Sequence, residues 1–447
     1  MKHETFHYEN IEAIKAKFNE IGACPPVAEN IGTLWDEVSL GAHSLKNRFV
    51  IQPMEGCDGT KAGAPDELTK RRYLRFAESG AGVIWFEAVA IVHEGRANPR
   101  QLYLSSETAE EFKKLIAEIK ETAIQKHGFA PKIIMQATHS GRQSRPDDAP
   151  KPVIAYRHAL YEKTRPIPGD ECIASDDALK ALEEKFAEAT VLAQEVGFDG
   201  IDVKCCHGYL LNELLSAYTR PGLYGGSFEN RTRLFRNGVD AAFSAAKGDF
   251  IVTSRLNIYD GFPYPFGFGV KEGEGNTPDL TEGMKLVGEL YQKGMRLLNI
   301  TAGNPYVNPH VNRPYDSGGY MPEEHPLEGI LRMSNCTETV QKAYPDMVIV
   351  GSAFSYLRQF APHFAAGAIE NGNCTLAGFG RQSFAYPQFI EDLKKNGEMN
   401  PKKCCVSCSS CSKMMRMGTV AGCMVKDQEV YLPLYREAVA KQERGNV

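Results

Sequence analysis

The sequence predicts an α/β fold, a (β/α)8 TIM barrel with a short C-terminal cysteine-cluster extension. Three observations predict it. Eight short apolar runs recur along the chain, longer helical patterns lie between them, and 43% of the 447 residues are hydrophobic, ample for one large core. The runs lack strict polar alternation, as strands buried on both faces of a parallel sheet do.

In order, the runs are 48–54 (RFVIQPM), 81–88 (AGVIWFEA), 132–138 (KIIMQAT), 198–204 (FDGIDVK), 250–256 (FIVTSRL), 296–303 (RLLNITAG), 347–353 (MVIVGSA) and 374–380 (CTLAGFG). Helical patterns occupy 105–125 and 175–197, the second opening on the capping residue Ser175 and stopping at Gly197. Repeated strand-then-helix units define a barrel. The stretches 139–174, 256–280 and 303–330 are rich in Gly, Pro and Tyr. Long loops of this kind, following barrel strands, usually build the site. The polar segment 396–403 marks a boundary between 1–395, the barrel with its N-terminal lead-in, and 396–447, a cysteine-bearing extension ending in a short helix.

Charge and composition exclude several classes. A net charge of -5 gives no basic footprint for nucleic acid. No apolar run approaches the roughly 20 residues of a membrane span. The N-terminus (MKHETFHYENIEAIKAKF) is charged from the start and shows no signal-peptide core, so a cytoplasmic protein is expected. Of the twelve cysteines, Cys404, Cys405, Cys408, Cys411 and Cys423 fall close together. In a chain without an export signal they point to a metal or iron–sulfur site rather than to disulfides. Cys24, Cys172, Cys336 and Cys374 read as small core or loop residues.

The segment after the fourth run carries the most specific pattern. It reads His207-Gly208-Tyr209-Leu210, then Leu215-Ser216, then Tyr224-Gly225-Gly226-Ser227 with Glu229-Asn230-Arg231. Together with MQATHSGRQ (135–143), GFGRQ (378–382) and the lead-in LWDEVSLGAHSLKNRFVIQPM, it resembles the Old Yellow Enzyme family of flavin oxidoreductases over about residues 34 to 395. The resemblance implies a bound FMN. Flavin chemistry needs a cationic donor beside N1 and O2 of the ring, and Arg255 matches the family position for it. Gln136 is suited to the pyrimidine edge. The phosphate is expected after the seventh and eighth strands, at Gly351-Ser352-Ala353 and Gly380-Arg381. Pro53, Met54, Glu55, Ala88 and Gly303 complete the expected flavin contacts.

The substrate side is expected at the fourth strand. An α,β-unsaturated carbonyl takes hydride at Cβ and a proton at Cα, and donors to its oxygen stabilise the enolate. The family often presents His-x-x-His or His-x-x-Asn; here the pair is Lys204 and His207, a departure that puts substrate choice in doubt. Tyr209 is the candidate proton donor, against the plainer reading of a tyrosine packed beneath a loop. Ser227 reads as a helix cap, and Glu229, Asn230 and Arg231 as structural. Two further departures are the short Ser216–Tyr224 stretch and Glu55, which stands where many relatives carry Thr or Cys. Cys57, Cys205 and Cys206 lie close by, with silent burial and a flavin-tuning role both open.

The C-terminal pattern Cys405-x2-Cys408-x2-Cys411-x11-Cys423 is similar to that of the 2,4-dienoyl-CoA reductase branch, which holds a [4Fe–4S] cluster. The branch usually has three residues in the second gap, so Cys404 competes with Cys405 as ligand, and a structural zinc site is the rival reading. The expected function is an FMN-dependent ene-reductase acting on a small enone or enoate, with NAD(P)H as a candidate electron source. Work on an amine or a tetrapyrrole is an alternative within the family. An electron-transfer subunit without its own substrate is the alternative from another class, and an aldolase using Lys204 as a Schiff base is a third. No Gly-x-Gly-x-x-Gly follows a strand, and Val447 comes 24 residues after Cys423, so a separate electron-donor protein docking near 404–423 is expected. The competing expectation is direct reduction by NAD(P)H. The oligomeric state is left open, a homo-oligomer included.

Overall fold

The computed structural model describes residues 2–445. Eight parallel strands close into a barrel: β1 (Phe49–Ile51), β2 (Val83–Ala90), β3 (Lys132–Thr138), β4 (Gly200–Val203), β5 (Ile251–Tyr259), β6 (Leu297–Ala302), β7 (Val348–Gly351) and β8 (Leu376–Phe379), with β8 pairing back onto β1. Each coincides with one of the runs expected from sequence. Every residue of β2 and β5 is buried, which explains why the runs read as continuously apolar. Both strands run beyond their expected ends. Each carries a register shift, between Trp85 and Ala88 in β2 and between Asn257 and Tyr259 in β5. Such bulges add a residue and re-aim the strand end.

A helix follows each strand: α1 (Glu67–Ala77), α2 (Ala109–His127), α3 (Asp176–Glu195), α4 (Arg233–Ala245), α5 (Thr281–Gln292), α6 (Pro326–Ala343), α7 (Ala361–Glu370) and α8 (Phe389–Asn396). The Ser175 side chain accepts from the Ala178 N–H and caps α3, as its sequence predicts. Leu179, Leu182, Phe186, Ala189 and Ala193 form the buried stripe of α3, at helical spacing. Fully burying Phe186 is worth roughly 1.5–3 kcal/mol.

The two ends of the barrel are finished differently. At the N-terminal end, a hairpin (Val38–Leu40 with His43–Leu45) contributes Val38, Leu40 and Leu45 to a layer with Val50, Val83, Trp85, Ile134, Ile251, Leu297, Val348, Val350 and Leu376. This plugs the bottom with apolar side chains. At the other end lie the long loops and the C-terminal segment. That segment carries two helices, Ser410–Arg416 and Gln428–Gly445, and is tied to the barrel at several points. The Ala421 N–H donates to the Gly56 carbonyl at 2.6 Å. Arg71 of α1 grips Asp427 with both terminal nitrogens, at 2.8 and 2.9 Å, and Arg75 joins them. Met414, Val420 and Tyr431 form a small core of their own against Leu68. The expected extension reached Val447; its last two residues, like Met1, lie outside the described ones. Among the described residues no helix is long and apolar enough to cross a membrane.

Candidate active site

The C-terminal ends of the strands open into a cleft lined by Gln52, Pro53, Met54, Glu55, Gln136, Lys204, His207, Tyr209 and Arg255, with Tyr306, Arg313, Ser352, Ala353, Gly380 and Arg381 around them. Its floor is organised by one buried carboxylate. Asp202 of β4 accepts from the Trp85 indole N–H at 2.7 Å, the Gln136 amide at 2.6 Å and the Arg255 backbone N–H at 2.6 Å. Burial raises the Asp202 pKa, and these donors oppose the rise. The network fixes the Gln136 amide by its nitrogen. Beside it, Gln52 and Asn299 exchange a reciprocal amide pair at 3.2 and 2.8 Å. Gly378 must be glycine: a Cβ there would come within 2.1 Å of Gln52 Nε2.

Arg255 stands over this floor with no carboxylate in ion-pairing range and no acceptor for its buried Nε among the described residues. Burial lowers its pKa, and the nearby Arg381 adds repulsion against the opposing pull of Cys206 and Asp202. Arg381 and Arg313 repeat the pattern. Each has a buried Nε with no partner among the described residues; Arg381 reaches the neutral Ser412 hydroxyl at 3.0 Å, and Arg313 the Ser412 and Ser409 hydroxyls at 3.2 and 3.0 Å. Burial, then repulsion from Arg381, brings Arg313 down to about 9. Three guanidinium groups lining one cleft with no carboxylate paired to them among the described residues are costly unless an anion enters it. A phosphorylated flavin, anionic at its phosphate and at the N1 side of its reduced ring, fits that requirement. Ser352 and Ala353, beyond β7, supply backbone beside it; Ala353 holds φ +77°, a conformation that costs a non-glycine residue roughly 1–2 kcal/mol.

The donor side is built from β4. Lys204 lies 3.5 Å from Glu55 Oε1 and 3.9 Å over the Tyr209 ring. The Tyr209 hydroxyl donates to Glu55 at 3.0 Å and shares a 2.9 Å hydrogen bond with Tyr306. Burial and the Glu55 charge raise the Tyr209 pKa well above its ordinary value, so the phenol keeps its proton. His207 holds φ +65°, and burial pushes its pKa well below the usual histidine range, with Arg255, Lys204 and Arg381 adding repulsion. It is therefore neutral. Asn312 Nδ2, which also donates to the Ala302 carbonyl at 3.0 Å, reaches His207 Nε2 at 2.9 Å. An amide nitrogen only donates, so Nε2 accepts and Nδ1 carries the hydrogen. The loop bearing Glu55 is held from behind. The Gly56 N–H donates to Glu87 at 3.0 Å, and Arg72 bridges Asp58 and Glu87 at 2.8 and 2.6 Å. A Cβ at Gly56 would strike Arg72 at 2.2 Å.

Cys405, Cys408, Cys411 and Cys423 line one small cavity that shares Arg381, Phe384 and Cys411 with the main cleft. Cys404 does not line it; its thiol points to the Asn400 carbonyl at 3.4 Å. The four side chains border a common space without converging on one point. Cys408 donates to Ser410 Oγ at 3.2 Å, and Cys405 accepts the Ser407 N–H at 3.4 Å. Among the described residues no group of three or more His, Cys, Asp or Glu is arranged to hold a metal ion. Burial pushes the Cys405 thiol up to about 12, so only a metal would displace its proton at neutral pH.

Three expected flavin contacts are not among the cleft-lining residues. Ala88 pairs in register with Gln136, but its carbonyl is taken by the Gln101 amide at 3.1 Å and its methyl group is not part of the lining. Gly303 is covered by the short helix Pro309–Asn312, the nearest atoms to a Cβ there being Asn312 N and Val311. Gly351 faces Cys374 and Thr337 on the helix side; strand alternation puts its neighbour Ser352 in the cleft instead. Sequence reasoning missed Arg313, Tyr306, Asn312 and Ser412. They sit in the Tyr-rich loop and the extension, where only the chain's path brings them to the cleft. Arg231 is structural, as expected: it pairs with Glu282 at 2.6 Å and stacks on Tyr218 at 3.9 Å.

A closed eight-stranded barrel, an anion-seeking cleft at its C-terminal end and neutral proton-bearing groups opposite the cations define the flavin-oxidoreductase class of barrel. The sequence profile described as the NADH:flavin oxidoreductase / NADH oxidase family matches residues 33–268, more than half of the chain, and the chain belongs to that family. The family is of the FMN-dependent, Old Yellow Enzyme type. Curated relatives include an NADH oxidase of Thermoanaerobacter brockii, 27% identical over 390 residues that cover 84% of this chain and 52% of that protein. An NADPH dehydrogenase of Bacillus pumilus (strain SAFR-032) is 32% identical over 232 residues, 51% of this chain and 64% of that one. Among solved structures, a 2-naphthoyl-CoA reductase in complex with 2-naphthoyl-CoA superposes with a TM-score of 0.71 at 18% identity, covering 92% of this chain and 58% of its own. The old yellow enzyme homologue from Zymomonas mobilis gives 0.61 at 19% identity, covering 83% and 94%. At these identities the structures share the fold. The chain spans about half the length of the Thermoanaerobacter protein.

Proposed function

We propose that this protein is an FMN-dependent ene-reductase that uses NAD(P)H and acts on the electron-poor C=C bond of an α,β-unsaturated carbonyl compound. The observation that carries the reading is the juxtaposition, in one cleft, of unpaired Arg255 and Arg381 with the neutral donors His207 and Tyr209 and the Lys204 ammonium. Arg255 and Gln136 would hold the ring, and Arg381, Arg313 and the Ser352–Ala353 backbone the phosphate. Bound and reduced, FMN supplies hydride to the β-carbon of the alkene. Lys204 and the Nδ1–H of His207 donate to the carbonyl oxygen and stabilise the enolate. Tyr209 keeps its proton through the resting state and gives it to the α-carbon. Its hydrogen bond to Tyr306 offers a route for reprotonation.

Cys405, Cys408, Cys411 and Cys423 would hold a [4Fe–4S] cluster, which supplies one-electron relay chemistry beside the cleft. The shared Cys411 wall supports that role, and the thiols must turn inward to ligate. Structural zinc is the outcome if metal analysis finds one zinc and no acid-labile sulfide.

Anaerobic reoxidation of the reduced holoenzyme by an enone panel tests the reading. Tyr209→Phe should leave FMN reducible and slow reoxidation by about 10²–10⁴-fold. Reoxidation at the wild-type rate would assign the proton to another donor, and inertness of the wild type toward every enone and enoate would favour an electron-transfer subunit. Stopped-flow bleaching by NADH or NADPH, in wild type and Cys408→Ala, separates direct reduction from delivery by a donor protein docking near 404–423.

A further inference from the structure

Behind the donor side lies a second chamber. It shares Glu55, Tyr306 and Met415 with the main cleft, so the Tyr209–Glu55–Tyr306 cluster stands between the two. Its remaining wall comes from the loops after β2, β3 and β6 and from the C-terminal segment. Four arginines line it: Arg142, Arg145, Arg165 and Arg416. Glu55 is its one acidic residue, and that carboxylate already serves Tyr209 and Lys204.

The arginines are not neutralised from outside the chamber, with one exception. Arg142 is buried and pairs with Glu213 at 2.8 Å, yet its Nη1 is buried without a partner. Among the described residues the other three meet only neutral oxygens. Arg145 donates to the Asp148 carbonyl at 2.9 Å, Arg416 to the Pro305 carbonyl at 2.9 Å, and Arg165 to the Gln143 side-chain oxygen. Burial lowers the Arg165 pKa, with repulsion from Arg145 and Arg142 against the pull of Tyr306 and Tyr209. The chain as a whole carries -5, so this concentration of positive charge runs against its overall balance. Asn98, Gln143 and Thr164 add uncharged polar groups to the same wall. Planar guanidinium forks of this kind match oxyanions in shape as well as charge.

We infer that this chamber is an oxyanion subsite, which takes a carboxylate or phosphoryl group at the far end of the molecule whose reacting end lies beside Tyr209. Arg165 and Arg145 grip the oxyanion, the buried Arg142 lends its charge to the wall, and Arg416 guards the rim. The molecule is either the alkene or the nicotinamide dinucleotide. Only that choice rests on the ene-reductase reading; the anion site stands on the chamber itself.

The test has a binding arm and a kinetic arm, both on the FMN-loaded full chain. Titration calorimetry with inorganic pyrophosphate and with malonate should show saturable binding, weakened about tenfold or more in Arg165→Met and partly restored in Arg165→Lys. Equal binding by wild type and Arg165→Met, or no saturable binding of either probe, overturns the inference. In the kinetic arm, a cyclic enone bearing a remote carboxylate or phosphate is compared with its neutral ester. The anionic partner should show the lower KM, and Arg165→Met should erase that preference while changing the KM ratio far more than the kcat ratio. An equal preference for NADPH over NADH, lost in the same variant, places the oxyanion on the reductant instead. If no alkene is reduced but pyrophosphate binds through Arg165, the ene-reductase reading falls and the subsite stands. If esters and acids are reduced alike in wild type and variant, and neither anion binding nor any preference between the nicotinamide dinucleotides changes in the variant, the subsite falls and the ene-reductase reading stands.

Discussion

The two ends of this barrel obey opposite rules. At the bottom, Val50, Val83, Trp85, Leu297 and Val350 pack against one another and against the hairpin residues Val38, Leu40 and Leu45, so the layer is apolar throughout apart from the Trp85 indole N–H, which Asp202 satisfies. At the mouth, Arg255, Arg313 and Arg381 line a cleft with buried guanidinium nitrogens that no carboxylate among the described residues pairs, its one lining acid, Glu55, being engaged by Tyr209 and Lys204. The bottom is complete as a folded object. The mouth becomes complete only when an anionic group enters. Stability and ligand demand are therefore separated along one axis of the same sheet.

That contrast can be broken by substitution. Leu297→Ala, at the bottom, should cost about 2–5 kcal/mol of folding stability while leaving FMN affinity of the folded protein near wild type. Urea denaturation with flavin titration checks both halves; a lost flavin site in this variant would mean that the ends are not independent. Arg255→Met should do the reverse. Flavin binding should weaken by about 1.5–3 kcal/mol, the range for hydrogen bonds to charged groups, while the flavin-free protein becomes no less stable, because an unpaired buried cation is removed. A flavin-free variant clearly less stable than wild type would show that Arg255 has a structural partner after all.

Acid should act on the mouth first. His139 and His158 follow β3, and burial depresses both to about 4. Each uses Nδ1 as an acceptor, from the Gly141 N–H at 3.0 Å and the Tyr161 N–H at 3.3 Å, so protonation there breaks a bond. In the unfolded chain histidine takes up a proton near 6.5, while these two stay neutral in the fold. The unfolded state thus binds more protons between about pH 6.5 and 4, and stability falls as pH drops through that window, by up to about 1.4 kcal/mol per pH unit for each histidine. Below about pH 4 their contribution to the slope ends. Hydrogen exchange at pH 7 and 5 should show 139–174 opening before the strands of the bottom layer. Uniform loss of protection would contradict the split. The smallest effect is expected from Asp427→Asn, which loosens the partly exposed clasp with Arg71 and Arg75 by about 1 kcal/mol or less, read as a small drop in melting temperature.

The same division governs what could be read from the sequence. The eight strands were legible because burial on both faces writes continuous apolar runs, and the place of Gln136, Arg255 and Arg381 at the cleft could be read because each lies in or just after such a run. The ends of β2 and β5 were not, since a bulge is a matter of pairing and leaves no mark in one strand alone. Which of Gly351 and Ser352 lines the cleft was not legible either, because a two-residue alternation gives neighbours opposite faces. Arg313, Tyr306 and Arg165 reach their cavities through loops whose course depends on everything around them. Their neighbours in sequence say nothing of their neighbours in space. Spacing alone did not show that Cys405 lines the thiol cavity while the Cys404 thiol turns to the Asn400 carbonyl.

Arg381 borders both the main cleft and the thiol cavity. A charge placed in either space is felt by the same guanidinium. By linkage, whatever the filling of one does to affinity in the other must hold equally in reverse. If the proposed cluster occupies the thiol cavity, its effect on flavin affinity and the effect of flavin on cluster affinity are one and the same coupling free energy.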